Sequence, residues 1–157
     1  MKRVLFAHGK EGSPNGTKAT MFKDNFDVTI PKLTNSYEMV DFLEDLDIIE
    51  TIGREVAVMV GSSRGGALVA QARNNVRKIL ICPAWKKFKT FLLPYLTEDD
   101  IIIHSKADDL VPFEDSVLLR DTYGCTLIEA GYDHRMSDDQ TLALIEETVR
   151  KVLEGEL

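Results

Sequence analysis

Cysteine, histidine and clustered basic residues are all scarce in this chain, and each scarcity excludes something. Cys82 and Cys125 lie far apart and form no CxxC pair. That excludes a disulfide scaffold and a zinc ribbon, and it suits a reducing, cytosolic setting. The three histidines show no H-x-x-x-H or paired His/Cys spacing, so no metal is expected. Acidic residues outnumber basic ones 26 to 19, for a net charge of −7. A nucleic-acid footprint wants clustered base, so no such partner is expected. The apolar run Val4–Ala7 after Met1-Lys2-Arg3 is too short for a signal peptide and far too short to span a membrane. Internal repeats, low-complexity tracts and linkers are missing as well. What remains is 44% hydrophobic and 29% charged. A chain of this length buries roughly 70% of its unfolded surface. The expectation is one globular domain over residues 1–157, soluble and cytoplasmic, with its oligomeric state open.

Short apolar runs, each closed by a glycine or proline, alternate with helix-like stretches. The runs are Val4–Ala7, Asp27–Ile30, Val56–Val60, Ile79–Cys82, Ile101–Ile103 and Thr126–Ile128. Four of them lack polar/apolar alternation, as strands buried on both faces do. Helices are expected over 35–52, with Met39, Leu43, Leu46 and Ile49 at helical spacing and Asn35 with Glu38 as a capping box. Further helices are expected over 64–74, over 113–122 before a left-handed cap at Gly124, and over 138–154 behind Asp138 and Asp139. This order predicts a three-layer α/β/α sandwich around a six-stranded, mainly parallel sheet. Ligands bind such sheets beyond the carboxyl ends of the strands, so the residues just after each run carry the interest.

Gly61-Ser62-Ser63-Arg64-Gly65-Gly66 follows the third run and fits G-x-S-x-G with Ser63 as its serine. A serine on a tight strand-to-helix turn needs small residues two before and two after it. Roughly 3 shuffled sequences in 100 would contain the pattern; the preceding strand and following helix make it rarer. The turn would project the Ser63 hydroxyl at a helix start, with the Arg64 backbone N–H aimed at a developing anion. A serine needs a base, and the base an orienting acid. His134 follows the last run, and Asp108 follows the fifth, with Asp109 as its rival. The order serine, acid, histidine is one of the known triad orders. The first loop, His8 to Lys18, is glycine-rich but fits neither a Walker A motif nor a dinucleotide fingerprint. There the Lys10 backbone N–H would be the second oxyanion donor, while His8 and His104 read as structural.

With these motifs in place the chain resembles the α/β-hydrolases, and within them the small, lidless YqiA-like serine esterases. His8-Gly9 through Ser13-Pro14 and Lys18 resembles that family's H-G-x-x-x-S-P-x-x-x-K opening. The elbow Gly61 to Gly66 matches its G-S-S-x-G-G, and Gly131 to His134 resembles its G-x-D-H ending. The resemblance implies Ser63 as nucleophile, His134 as general base and Asp108 as its orienter, with backbone donors from Lys10 and Arg64. It also implies action on short-chain acyl esters without a cofactor. Two departures stand out: Ser105 replaces the usual glycine after the fifth strand's histidine, and Arg64 follows the nucleophile where relatives carry an apolar residue or glutamine. The Arg64 side chain would favour an anionic substrate or pair with a surface carboxylate.

Residues 83–100 are too few for a cap domain. Trp85 and Phe88 there form either a short pocket wall or part of an amphipathic helix packed on the core, with Lys86, Lys87 and Lys89 beside them. Two other readings stay open: a binding or scaffold protein with an idle triad, and a thioesterase or amidase on the same residues.

Overall fold

The computed structural model describes residues 2–9, 13–34, 36–88 and 92–157. Six strands form one sheet: β1 (Val4–Ala7), β2 (Val28–Thr29), β3 (Val58–Ser62), β4 (Arg77–Ile81), β5 (Ile101–His104) and β6 (Thr126–Glu129). Their order is β2-β1-β3-β4-β5-β6, and every neighbouring pair is parallel. Around it lie α1 (Thr17–Asn25), α2 (Met39–Gly53), α3 (Arg64–Gln71), α4 (Phe113–Tyr123) and α5 (Asp139–Leu153), with a 3-10 helix at Trp85–Phe88. The expected sandwich is present.

The missing alternation in the apolar runs has a direct cause, because both sheet faces are covered. Leu5, Met59, Leu80 and Ile102 point into a core shared with α2, α3 and α4. Their neighbours Val4, Val58, Ile79 and Ile101 point into a second core, shared with α1 and α5. The winding reverses between β1 and β3, which places α1 and α2 on opposite faces, as right-handed crossovers require. A crevice opens at that reversal, beyond the carboxyl ends of the two strands.

Several boundaries differ from expectation. The helix expected from residue 35 starts at Met39 with Glu38 as its N-cap, so the capping box is not its start; Asn35 itself lies outside the described residues. Its buried face is Phe42, Asp45, Leu46 and Ile49, while Met39 and Leu43 are exposed. The third strand runs two residues later than expected, which carries the sheet up to Ser62. Gly124 is left-handed at the end of α4 (φ +79°), and Asp138 caps α5 by accepting from the Thr141 N–H. Among the described residues, no helix is long and apolar enough to cross a membrane.

Candidate active site

Ser63 sits between β3 and α3 with φ +55° and ψ −114°, a conformation that costs a non-glycine residue of order 1–3 kcal/mol. The surroundings hold it there. Its N–H donates to the Ile81 carbonyl, and its own carbonyl accepts from the Ala67 and Ala84 N–H groups. A Cβ on Gly61 would collide with the Gly65 carbonyl, and one on Gly65 with the Ala7 and His8 carbonyls. The two glycines therefore let α3 start against the ends of β1 and β3. Cys82 (φ +37°) and Met136 (φ +55°) are the other non-glycine residues with positive φ among those described. Of the three, Ser63 lines the crevice.

At that crevice the Ser63 hydroxyl donates to His134 Nε2 over 2.9 Å, and His134 Nδ1 donates to Asp108 Oδ2 over 2.7 Å. The carboxylate thus fixes the tautomer that leaves Nε2 free to accept. Asp108, not its exposed neighbour Asp109, meets the ring. Its other oxygen accepts from the Leu110 and Val111 N–H groups, both at 2.8 Å. Burial alone would raise the Asp108 carboxyl. The N–H donors, with His134 beside them, outweigh it and hold the group below the ordinary carboxylate range.

A residue that sequence reasoning set aside also belongs here. His104, at the end of β5, approaches Asp108 Oδ2 with Nε2 at 3.0 Å and the Val111 carbonyl at 3.1 Å. Two acceptors on one nitrogen require that Nε2 carry the hydrogen, and the Ser116 hydroxyl pairs with Nδ1 at 2.7 Å. Burial lowers the His104 pKa despite the nearby carboxylate, so it acts as a neutral donor. The signal was available: a histidine four residues before the acid, ending a strand.

Cys82 Sγ lies with the Asp108 and His134 ligand atoms inside 4.8 Å, a spacing that a metal could bridge. Burial pushes its thiol up to about 12, and the thiol donates to the His134 carbonyl. Among these three groups the thiol bonds the His134 backbone and the His134 ring bonds Asp108.

The Arg64 N–H is in the first turn of α3, where backbone donors have no intrahelical acceptor. The Lys10 N–H, expected as its partner, lies outside the described residues. The Arg64 side chain corrects the expectation of a surface pairing. It is buried against Asp45 at 2.7 Å, with both side chains 2% exposed. It donates through Nε to the Ser36 carbonyl and through Nη2 to Thr34 Oγ1, and it stacks over Phe42. Thr34 in turn donates its N–H and hydroxyl to Asp45. The ion pair thereby ties α2, Thr34 and Ser36 to the helix that follows Ser63. His8 braces the same region, accepting from the Leu33 N–H at Nε2 and donating from Nδ1 to the Gly9 carbonyl.

A cleft of about 720 Å³ opens beside Ser63 and His134, with Tyr37, Ala84, Lys87, Leu110 and Val111 among its walls. Trp85 and Phe88, expected as a possible pocket wall, are not in it. The short 3-10 helix turns both inward, leaving them 7% and 1% exposed. The Trp85 indole N–H donates to the Asp115 carbonyl over 2.9 Å, and Phe88 stacks on Phe42 at 4.3 Å between centroids. Apolar area drives both into the core, and Ala84 and Lys87 face the cleft instead.

No protein-family model matches the sequence, and no curated protein does. Solved structures do match. A candidate hydrolase of the α/β superfamily from Xanthomonas campestris pv. campestris is 20% identical with a TM-score of 0.75, over 99% of each chain. Est1E from Butyrivibrio proteoclasticus is 18% identical with a TM-score of 0.76, over 99% of this chain and 88% of its own. The ydeN gene product of B. subtilis is 18% identical with a TM-score of 0.73, over 98% of this chain and 100% of its own. With the strand order and the sharp turn after β3 already in view, this likeness shows that the chain has the α/β-hydrolase fold.

Proposed function

We propose that the protein is a serine hydrolase that cleaves short-chain acyl esters through an acyl-enzyme, with Ser63 as nucleophile, His134 as general base and Asp108 as its orienter. One observation carries the reading. On a strained turn, Ser63 Oγ, His134 and Asp108 form a continuous chain of hydrogen bonds at 2.9 and 2.7 Å. A strained, partly exposed serine with a base already in contact has no evident structural purpose, and the strain is one a fold retains where chemistry uses it.

Ser63 Oγ attacks the ester carbonyl carbon as its proton passes to His134 Nε2. The imidazolium is stabilised by Asp108, whose charge the Leu110 and Val111 N–H groups secure. The Arg64 N–H takes the oxyanion, with Lys10 proposed as the second donor. His134 then protonates the departing alcohol, and water repeats the sequence on the acyl-enzyme. No cap covers the cleft among the described residues, which favours small, accessible acyl groups over long chains. The narrower resemblance to the YqiA-like esterases agrees with this substrate class.

Replacing Ser63 with alanine tests the reading on acetate and butyrate esters. Losing the nucleophile should lower kcat by about 10⁴-fold or more. A Ser63→Ala protein that keeps a tenth of the wild-type rate would refute it.

A further inference from the structure

Among the described residues, the cleft beside Ser63 is lined by four cationic residues, Lys18, Arg64, Lys87 and Arg135, and by no carboxylate. The chain as a whole carries 26 acidic residues against 19 basic ones, so this cleft runs against the protein's overall charge. Arg64 is neutralised by Asp45. The other three have no acid in ion-pair contact among the described residues. Lys87 rests over the Tyr37 ring, its Nζ 5.0 Å from the centroid. Its neighbour Lys86 turns the other way and pairs with Asp115 at 3.1 Å. Arg135 directly follows His134, and its exposed guanidinium makes no hydrogen bond or ion pair to a described residue. Lys18 is partly buried at the cleft wall and donates to the Arg135 carbonyl and the Ser137 hydroxyl, both uncharged partners.

A partly desolvated ammonium loses hydration that neutral acceptors restore incompletely, and at Lys18 the charge of Arg135 adds repulsion that Asp133 offsets in part. Burial accordingly lowers the Lys18 pKa. An arriving anion relieves both costs, and a concave site with low-dielectric walls concentrates the field that attracts it. The arrangement is costly when empty and favourable when an anion occupies it.

We propose that the substrate of this site carries an anionic group, a carboxylate or phosphate, which Lys87 and Arg135 hold beside the scissile ester while Lys18 adds positive potential from the wall. This rests on the hydrolase reading and narrows it from short esters to charged ones. The anion can belong to the acyl part or to the alcohol part, since both occupy the cleft during the reaction.

The test uses the purified full chain and two matched ester pairs. Mono-4-nitrophenyl glutarate against its methyl ester varies charge on the acyl side. 4-Acetoxybenzoate against its methyl ester varies charge on the leaving side. Each kcat/KM is divided by the hydroxide-catalysed rate of the same ester. In one pair the anionic member is expected to lead by about tenfold, and that pair identifies the side. The lead should shrink severalfold on raising salt to roughly 0.3 M, because exposed charges are screened. It should fall by about threefold in K87Q and in R135Q singly, and close to parity in the double variant, while K86Q leaves it in place. Parity in both wild-type pairs, or a lead that survives both salt and the double variant, overturns the inference and spares the hydrolase. Failure to hydrolyse any of the four esters overturns the hydrolase reading and this inference with it.

Discussion

Replacing Asp108 with asparagine isolates the acid's contribution while keeping the site's shape. In the native site Oδ1 accepts from two backbone N–H groups at 2.8 Å, and Oδ2 faces His134 Nδ1 at 2.7 Å and His104 Nε2 at 3.0 Å. The two backbone donors will claim the carbonyl oxygen of the new amide, so its NH₂ group must face the histidines. His134 Nδ1 can then pair only as an acceptor, which moves the ring hydrogen to Nε2. In that tautomer the ring cannot take the Ser63 proton. The loss should be about 10⁴-fold in kcat, equivalent to about 5 kcal/mol of transition-state stabilisation, with KM little changed. Stability should fall by about 1 kcal/mol, since His104 loses one of its two acceptors and keeps the Val111 carbonyl. The assay is steady-state hydrolysis of a butyrate ester across pH, with thermal unfolding as the control. A folded D108N protein within tenfold of wild type would show that Asp108 does not set the tautomer of the base.

His104 is expected to act by positioning that carboxylate. H104A should lose roughly ten- to a hundredfold in kcat, the worth of a hydrogen bond to a charged group. H104Q, whose amide can still donate to Oδ2, should recover part of this; equal losses in the two would mean a packing role only. Phe88→Ala should cost about 3–5 kcal/mol of stability, as for a core aromatic, and leave KM for short esters near wild type. A KM change without loss of melting temperature would return Phe88 to the pocket wall. Lys78 is buried, donates to the Ala72 and Tyr95 carbonyls, and has its pKa lowered by burial from 10.5 to about 8. Between those values the unfolded chain binds more protons than the folded one, so stability rises with pH through that window. Denaturant titrations should show wild type gaining on K78M there, by up to about 3 kcal/mol, with the full penalty present below pH 8. A difference that is flat with pH would refute the shift.

The features legible in the sequence were those that burial imposes on every residue of a segment. β1, β3, β4 and β5 read as unbroken apolar runs because both sheet faces are covered, and the elbow read clearly because Gly61 and Gly65 have no room for a side chain. Less legible were elements stabilised by pairing. α1 buries only Ala19 and Phe22, too little for a stripe, and the sequence carries no expectation of a helix there. The face of α2 was misphased because an aspartate occupies a core position, and Asp45 is tolerated there only through Arg64, distant in sequence. Trp85 and Phe88 suit a wall or a core equally by composition; the direction of one helical turn decides between them. His104 reads as structural from its place at the end of a strand, and only the fold shows that its ring reaches Asp108.

The most direct measurement is intact-mass and peptide analysis after exposure to a fluorophosphonate, which reacts with an activated serine and spares ordinary hydroxyls. The structure predicts one adduct per chain on Ser63, lost in S63A and formed far more slowly in D108N. No adduct on folded protein, or an adduct on another residue, would contradict the proposed role of Ser63.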